Sequence, residues 1–234
     1  MSSLNLAVQS PYDAIQEWIK KGEDMLKVKF PERIRALNKL VQTESLKVST
    51  YQHSLLSILP TGDIGPNLHL ESELETELGD GKSIKESVLP SNNNILTLID
   101  LLRPRFLDLD EDFKTLELWI QFQIPRIQDG NNFGVSVQEI SLAKVLNVSK
   151  KCSLFQAQVA EYFLARGRIV AKLSKHPHVA DFRLAATELD RKLLFLLWQK
   201  LRDIRNQYLI MYDYLNKNLE KIKLPRGTAN HNFY

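Results

Sequence analysis

Only one cysteine, Cys152, occurs in the chain, so an internal disulfide is impossible and a reducing compartment is the expected setting. Glycine and proline are scarce too, nine of each in 234 residues, which disfavours a turn-rich β fold and favours long helices. No apolar run comes near the roughly 20 residues of a membrane span. The first ten residues lack the basic and apolar regions of a secretory leader. Nor does one sign of charge dominate. The 31 Lys+Arg stand against 28 Asp+Glu, too even a balance for the basic stripe that marks nucleic-acid binding. These absences place the chain in the nucleus or cytoplasm, with no membrane and no nucleic acid among its expected partners.

What is present is helical spacing. Four segments carry apolar residues at steps of three and four, the signature of a core-facing stripe. The first runs from Pro11 to about Thr43, with Ser10 as N-cap and Pro11 in the first turn. Its face is Ile15, Ile19, Leu26, Phe30, Ile34, Leu37 and Val41, and Pro31 is expected to kink it. The second spans about Asn94 to Gln123, with Ile95, Ile99, Leu102, Phe106, Leu109, Phe113, Leu116 and Ile120 inward and a bend expected at Pro104.

The third covers about Val135 to Ser174, through Val137, Val145, Val148, Cys152, Phe155, Val159, Tyr162, Ile169 and Leu173. The fourth covers about Val179 to Lys223, through Phe182, Leu189, Leu193, Leu197, Leu201, Ile204, Tyr208, Met211, Leu215, Leu219 and Ile222. Helices of about 40 residues, about 60 Å long, belong to bundles or coiled coils. The short link Lys175-His176-Pro177-His178 makes the last two antiparallel neighbours. The fold expected is all-α, an elongated up-and-down four-helix bundle in a single domain. Apolar residues off the stripes, among them Phe163, Leu164, Leu194, Leu196 and Trp198, call for a second packing surface and hence oligomerisation. Residues 59–93, with Pro60, Gly62, Gly65 and Pro66 before an acidic block at 71–77 and Gly79, Gly81 and Pro90 after it, read as a disordered interhelical insert.

Catalytic chemistry finds little support. His176 and His178 flank a turn proline, and two histidines do not complete a metal site, so no metal or cofactor is expected. Cys152 lies on an apolar stripe, where a thiol is a small hydrophobe rather than a nucleophile. The pairs Arg103/Arg105 and Arg166/Arg168 read as solvated or interfacial. No hydrolase, phosphate-loop, dinucleotide or metalloprotease motif occurs. An enzyme is therefore not expected.

Two other stretches invite a functional reading. Residues 124–134 join the second and third helices. Pro125 ends one helix, Asp129-Gly130 turns, Asn131 and Asn132 tolerate left-handed backbone, and Gly134 allows a further bend. The segment also carries Ile127 and Phe133 at an end of the bundle, where they are either tucked beneath it or presented to a partner. Residues 224–234 leave the last helix at Pro225 as a flexible tail closing in Phe233 and Tyr234; capture of a terminal carboxylate is one known recognition mode.

The run Ile124-Pro-Arg-Ile-Gln-Asp-Gly-Asn-Asn-Phe-Gly134, continuing to Glu139, resembles the activation-loop signature of the 11S (REG) proteasome activators, with Gln128 where a glutamate is common. His176 to Arg183 resembles that family's turn into its last helix. Arg205 to Tyr208, Lys217 to Gly227 and the final Tyr234 resemble the helix end and tail. The likeness is strong from about Leu116 onward and weak before it, and the wording at Asn206-Gln207-Tyr208 is nearest the γ type. The resemblance implies a heptameric ring, homomeric for a γ-like chain, that caps the 20S proteasome without ATP and opens its gate to short peptides. It implies an activation loop of Arg126, Ile127, Gln128, Asp129, Gly130, Asn131, Asn132, Phe133 and Gly134, with Asn131 important for activation. It also implies a tail, Asn232, Phe233 and Tyr234, that binds between proteasome α subunits. The competing expectation is an oligomeric helical scaffold or adaptor.

Overall fold

The computed structural model describes residues 10–43, 91–176 and 178–226, which fold into helices with no strand among them. The chain runs α1 (Pro11–Asp24), a π-helical turn (Met25–Lys29), α2 (Phe30–Val41), α3 (Asn93–Gln123), α4 (Phe133–Lys175), α5 (Ala180–Lys217) and a final short α6 (Leu219–Lys223). The Ser10 hydroxyl accepts the Tyr12 N–H at 3.3 Å and Pro11 stands at the first helical position. The proline-induced irregularity falls just before Pro31. There the Phe30 N–H reaches back five residues to the Met25 carbonyl, so the helix widens by one residue instead of breaking. Helix α3 runs through Pro104 without interruption. Most of the expected 59–93 insert lies outside the described residues. Its last two residues belong to the helix instead: Asn92 caps α3, its carboxamide oxygen accepting from Asn94 and Ile95, and Asn93 opens the helix.

Three buried seams hold the bundle. In α3 the seam is Ile95, Ile99, Leu102, Phe106, Leu109, Phe113, Leu116 and Ile120, as expected. In α4 it is Gly134, Gln138, Ser141, Val145, Val148, Cys152, Phe155, Val159 and Tyr162. In α5 it passes through Asp190, Leu194, Leu197, Leu201, Ile204, Tyr208, Met211 and Leu215. Every seam alternates steps of four and three, a 3.5-residue repeat that keeps knobs facing the same partner along very long helices. Helix α4, with 43 residues, is about 64 Å long. The repeat corrects two expectations. Val137 is only half-buried because the seam passes through its neighbour Gln138, and Leu194 is a core residue, not part of an outer surface. Phe163 and Leu164 remain exposed, together with Leu154, Phe195, Leu209 and Ile210.

Two carboxylates are buried inside this apolar frame, each with partners. Asp112 on α3 accepts from Arg33 Nε at 2.9 Å and from the Tyr208 hydroxyl at 2.8 Å, while Arg33 also reaches Asp108. Above this junction Phe30, Phe113 and Tyr208 form a mutually packed aromatic triad. Burial, and then the Asp112 charge, push the Tyr208 hydroxyl far above the usual phenol range, so it remains the donor at any working pH. One residue thus ties α2, α3 and α5 together. Asp112→Ala should cost about 3 kcal/mol, since it strands a hydroxyl and part of a guanidinium, whereas Tyr208→Phe should cost about 1 kcal/mol. Urea unfolding of the two variants measures the difference, and equal costs would show that the carboxylate is not the junction.

Nearer the opposite end, Asp190 accepts from the Tyr162 hydroxyl at 2.9 Å and from Arg166 Nε at 3.1 Å. Arg166, expected to be solvated or interfacial, is instead a largely covered side chain paired within the bundle.

Candidate functional site

Helix α3 stops where Pro125 requires it. Ile124 takes an extended conformation, as a residue before proline is pushed to do, and its N–H closes a last bond to the Gln121 carbonyl at 3.2 Å. The chain then runs free of helix until Asn132, so the connection is 124–132. Gly130 and Asn131 reverse it with consecutive positive φ angles, 77° and 46°. Glycine adopts that region without strain, and asparagine is among the few other residues that visit it. Asn132 precedes α4 but does not cap it with its side chain. Its carboxamide lies across the loop instead, the nitrogen donating to the Gln128 carbonyl at 3.4 Å.

The two unexplained apolar residues are not tucked beneath the bundle. Ile127 is 100% exposed and Phe133 73% exposed, at the tip and the exit of a backbone whose course is fixed by a proline and two left-handed residues. Phe133 and Gly134, expected in the loop, are the first residues of α4. Gly134 is not a bend. Its lack of a side chain makes room for the chain leaving α6, since a Cβ there would sit 2.1 Å from the Pro225 carbonyl oxygen.

That exit segment is the other half of the site. Arg226 donates through Nη1 to the Arg126 carbonyl at 2.8 Å and to Gln128 Oε1 at 2.9 Å, and through Nη2 to Asn132 Oδ1 at 3.1 Å. Underneath, the fully buried Gln138 donates from Nε2 to the carbonyl of Gln123 at 2.8 Å and of Ile222 at 2.7 Å. It satisfies the open carbonyl ends of two helices at once. The same end of the bundle holds Gly22 directly against the Trp119 side chain, and a 2.6 Å ion pair from Lys223 to Glu23.

The hydrogen bond from Lys223, seconded by Lys27, lowers the Glu23 carboxyl below its ordinary value of 4.5. A lowered carboxylate contributes stability that is present above the unfolded pKa and lost as pH falls through the folded one. The advantage of wild type over Glu23→Gln should therefore be about 0.5 kcal/mol at neutral pH and vanish in acid. Thermal melts at several pH values test this, and an advantage surviving at pH well below the lowered pKa would refute it.

Neither Arg226 nor Gln138 was singled out from the sequence. Gln138 was detectable in principle, as a polar residue on a position that the seam spacing assigns to the core. Arg226 gave no signal, because its partners are about a hundred residues away. The remaining candidates look structural. Cys152 is buried, and burial pushes its thiol up to about 12. His176 and His178 face each other at 6.3 Å between ring centroids across the α4–α5 turn. Among the described residues no three His, Cys, Asp or Glu side chains gather as metal ligands, and no helix is long and apolar enough to cross a membrane. Asn232, Phe233 and Tyr234 lie outside the described residues.

Comparison with known proteins finds relatives over nearly the full length of the chain. Residues 88–232 match the family model described as proteasome activator PA28, C-terminal, and residues 15–56 match its N-terminal counterpart, so the first helix shares the likeness too. Proteasome activator complex subunit 3 of Gallus gallus is 33% identical over 97% of this chain and 96% of its own. Subunit 2 of Homo sapiens is 36% identical over 94% and 91%. Among solved structures, the 11S subunit of the Plasmodium falciparum proteasome, PA28, aligns with a TM-score of 0.76 at 27% identity, over 97% of this chain and 99% of that one. The activator PA26 of Trypanosoma brucei, solved with the yeast 20S proteasome, shares the fold at a TM-score of 0.59 and 14% identity. On the family models and on full-length identity to its relatives, the chain belongs to the proteasome activator PA28 family.

Proposed function

We propose that this chain is an ATP-independent activator of the 20S proteasome, acting as a ring and without catalytic chemistry of its own. In this reading the tail residues Asn232, Phe233 and Tyr234 anchor the ring on the proteasome α subunits. The loop from Arg126, with Phe133 and Gly134 at the start of α4, presses on the gate and opens it to peptides. The observation that carries the reading is the pairing of a fixed backbone with outward apolar side chains, Ile127 and Phe133, at one end of the bundle. A stiff element can bias a gate, provided it contacts the open state better than the closed one. Exposed Leu154, Phe163, Leu164, Phe195, Leu209 and Ile210 supply the second packing surface that a homo-heptameric ring needs. A lone buried thiol suits the reducing nucleus or cytoplasm.

The test is fluorogenic-peptide hydrolysis by purified 20S proteasome, with and without this protein and in the absence of ATP, alongside sizing by light scattering. A ring-sized particle that raises hydrolysis is expected. A monomer, or a ring that leaves hydrolysis unchanged, would favour a helical scaffold instead.

A further inference from the structure

The connecting loop is braced by a side chain that does not belong to it. Arg226 lies three residues beyond the end of α6. Its acceptors sit on both limbs of the loop. Arg126 and Gln128 precede the reversal at Gly130 and Asn131, and Asn132 follows it. One guanidinium therefore cross-links the two limbs, and Asn132 adds a fourth bond between them by donating to the Gln128 carbonyl. A planar fork suits this task, whereas an ammonium would offer a single point of charge. Where Arg226 starts from is also fixed. The Leu224 N–H bonds to the Glu220 carbonyl at 2.8 Å, and Pro225 rests on Gly134 with no room for a side chain between them. The root of the tail and the loop thus form one packed unit.

We propose that Arg226 is a positioning residue that holds the 124–132 loop in its working shape and couples that shape to the root of the tail. The functional arm rests on the reading of the chain as a proteasome activator; the structural arm does not. If the tail is drawn into a partner, residues 224–226 bear the load, and the brace carries it to both limbs of the loop.

Two measurements on the full-length protein test the proposal. Hydrogen–deuterium exchange across 124–132 reads the brace without any proteasome. Titration of 20S peptidase activity separates maximal stimulation from the half-saturating concentration. For Arg226→Ala, loop exchange should rise about tenfold while exchange across 106–120 is unchanged. Maximal stimulation should fall at least about fivefold, with the half-saturating concentration within about twofold of wild type, because the anchoring residues are intact. Arg226→Lys should fall between the two. Gln128→Glu should slow loop exchange below wild type, since a charged acceptor strengthens the bond. If Arg226→Ala loses its helical signal, the double variant Gln128→Ala/Asn132→Ala removes the side-chain acceptors without touching the tail, and the same rise is expected. Loop exchange equal to wild type in the variant that folds would overturn the brace. Faster exchange with undiminished maximal stimulation would overturn its role in activation. If wild type itself fails to stimulate, the proposed function falls, while the exchange data still decide the brace.

Discussion

Asn131→Tyr is expected to bind the 20S proteasome almost as wild type does while losing nearly all stimulation of peptide hydrolysis. Asn131 is the only non-glycine residue with positive φ among the described residues, at 46°. A tyrosine forced into the left-handed region costs about 1–2 kcal/mol, enough to drive the reversal into another conformation. Displacement of a contact element by about 1 Å can cost a hundredfold in rate when position is all it contributes. Maximal stimulation should therefore fall more than about tenfold. The half-saturating concentration should move less than about twofold, since the proposed anchor in the tail is untouched. Asn131→Gly supplies the control. Glycine accepts the same φ, so most of the stimulation should survive if backbone shape is what matters. Full activity in the tyrosine variant would remove the loop from the mechanism. Loss of activity in the glycine variant would shift the argument from shape to the carboxamide itself.

The second large effect is on binding. Deleting Phe233 and Tyr234 should abolish co-sedimentation with 20S proteasomes. A single short segment that must be ordered on docking binds weakly. Several on one ring reinforce each other through effective concentration, commonly by a factor of about 10² to 10⁴. If these residues make the proposed contact, removing them from every subunit loses both the contact and the reinforcement, so affinity should fall by at least about a hundredfold. Undiminished co-sedimentation would place the anchor elsewhere on the chain. The two variants differ in kind: one keeps the complex and loses the response, the other loses the complex.

Periodic features of this protein were legible in its sequence, and tertiary ones were not. The seam of α3 could be read residue by residue, and that of α5 from Leu197 to Leu215, because a 3.5-residue repeat needs no knowledge of the partner. Before Leu197 the α5 seam passes through Asp190 and Leu194, where a buried carboxylate interrupts the apolar pattern. The α4 seam was read correctly from Val145 to Tyr162, while Ile169 beyond it is only half-buried. Before Val145 it passes through Gly134, Gln138 and Ser141, which are small or polar and interrupt the apolar pattern. The reason is three-dimensional: two other helices end there, and their carbonyls need a donor. Gly134 illustrates the same limit. Its composition signalled a bend, but the structure uses its missing side chain to seat Pro225. Sequence alone likewise left Ile127 and Phe133 undecided between burial and display, since amphipathic spacing has no meaning in a nine-residue connection. The turn chemistry at Pro125, Gly130 and Asn131 was readable because each acts through its own backbone. The brace from Arg226 was not, because it exists only once residue 226 has been brought beside residue 126.

The buried thiol has a practical consequence. With its pKa pushed up to about 12, Cys152 would be ionised in roughly one molecule in ten thousand at pH 8, and the core shields even that fraction from reagent. The natural chain is therefore nearly blank to maleimide dyes. Ile127→Cys would place one reactive group on the most exposed residue of the loop without any need to remove the native cysteine. A fluorophore there, one per subunit, would report in real time when this end of the bundle leaves water for a protein surface.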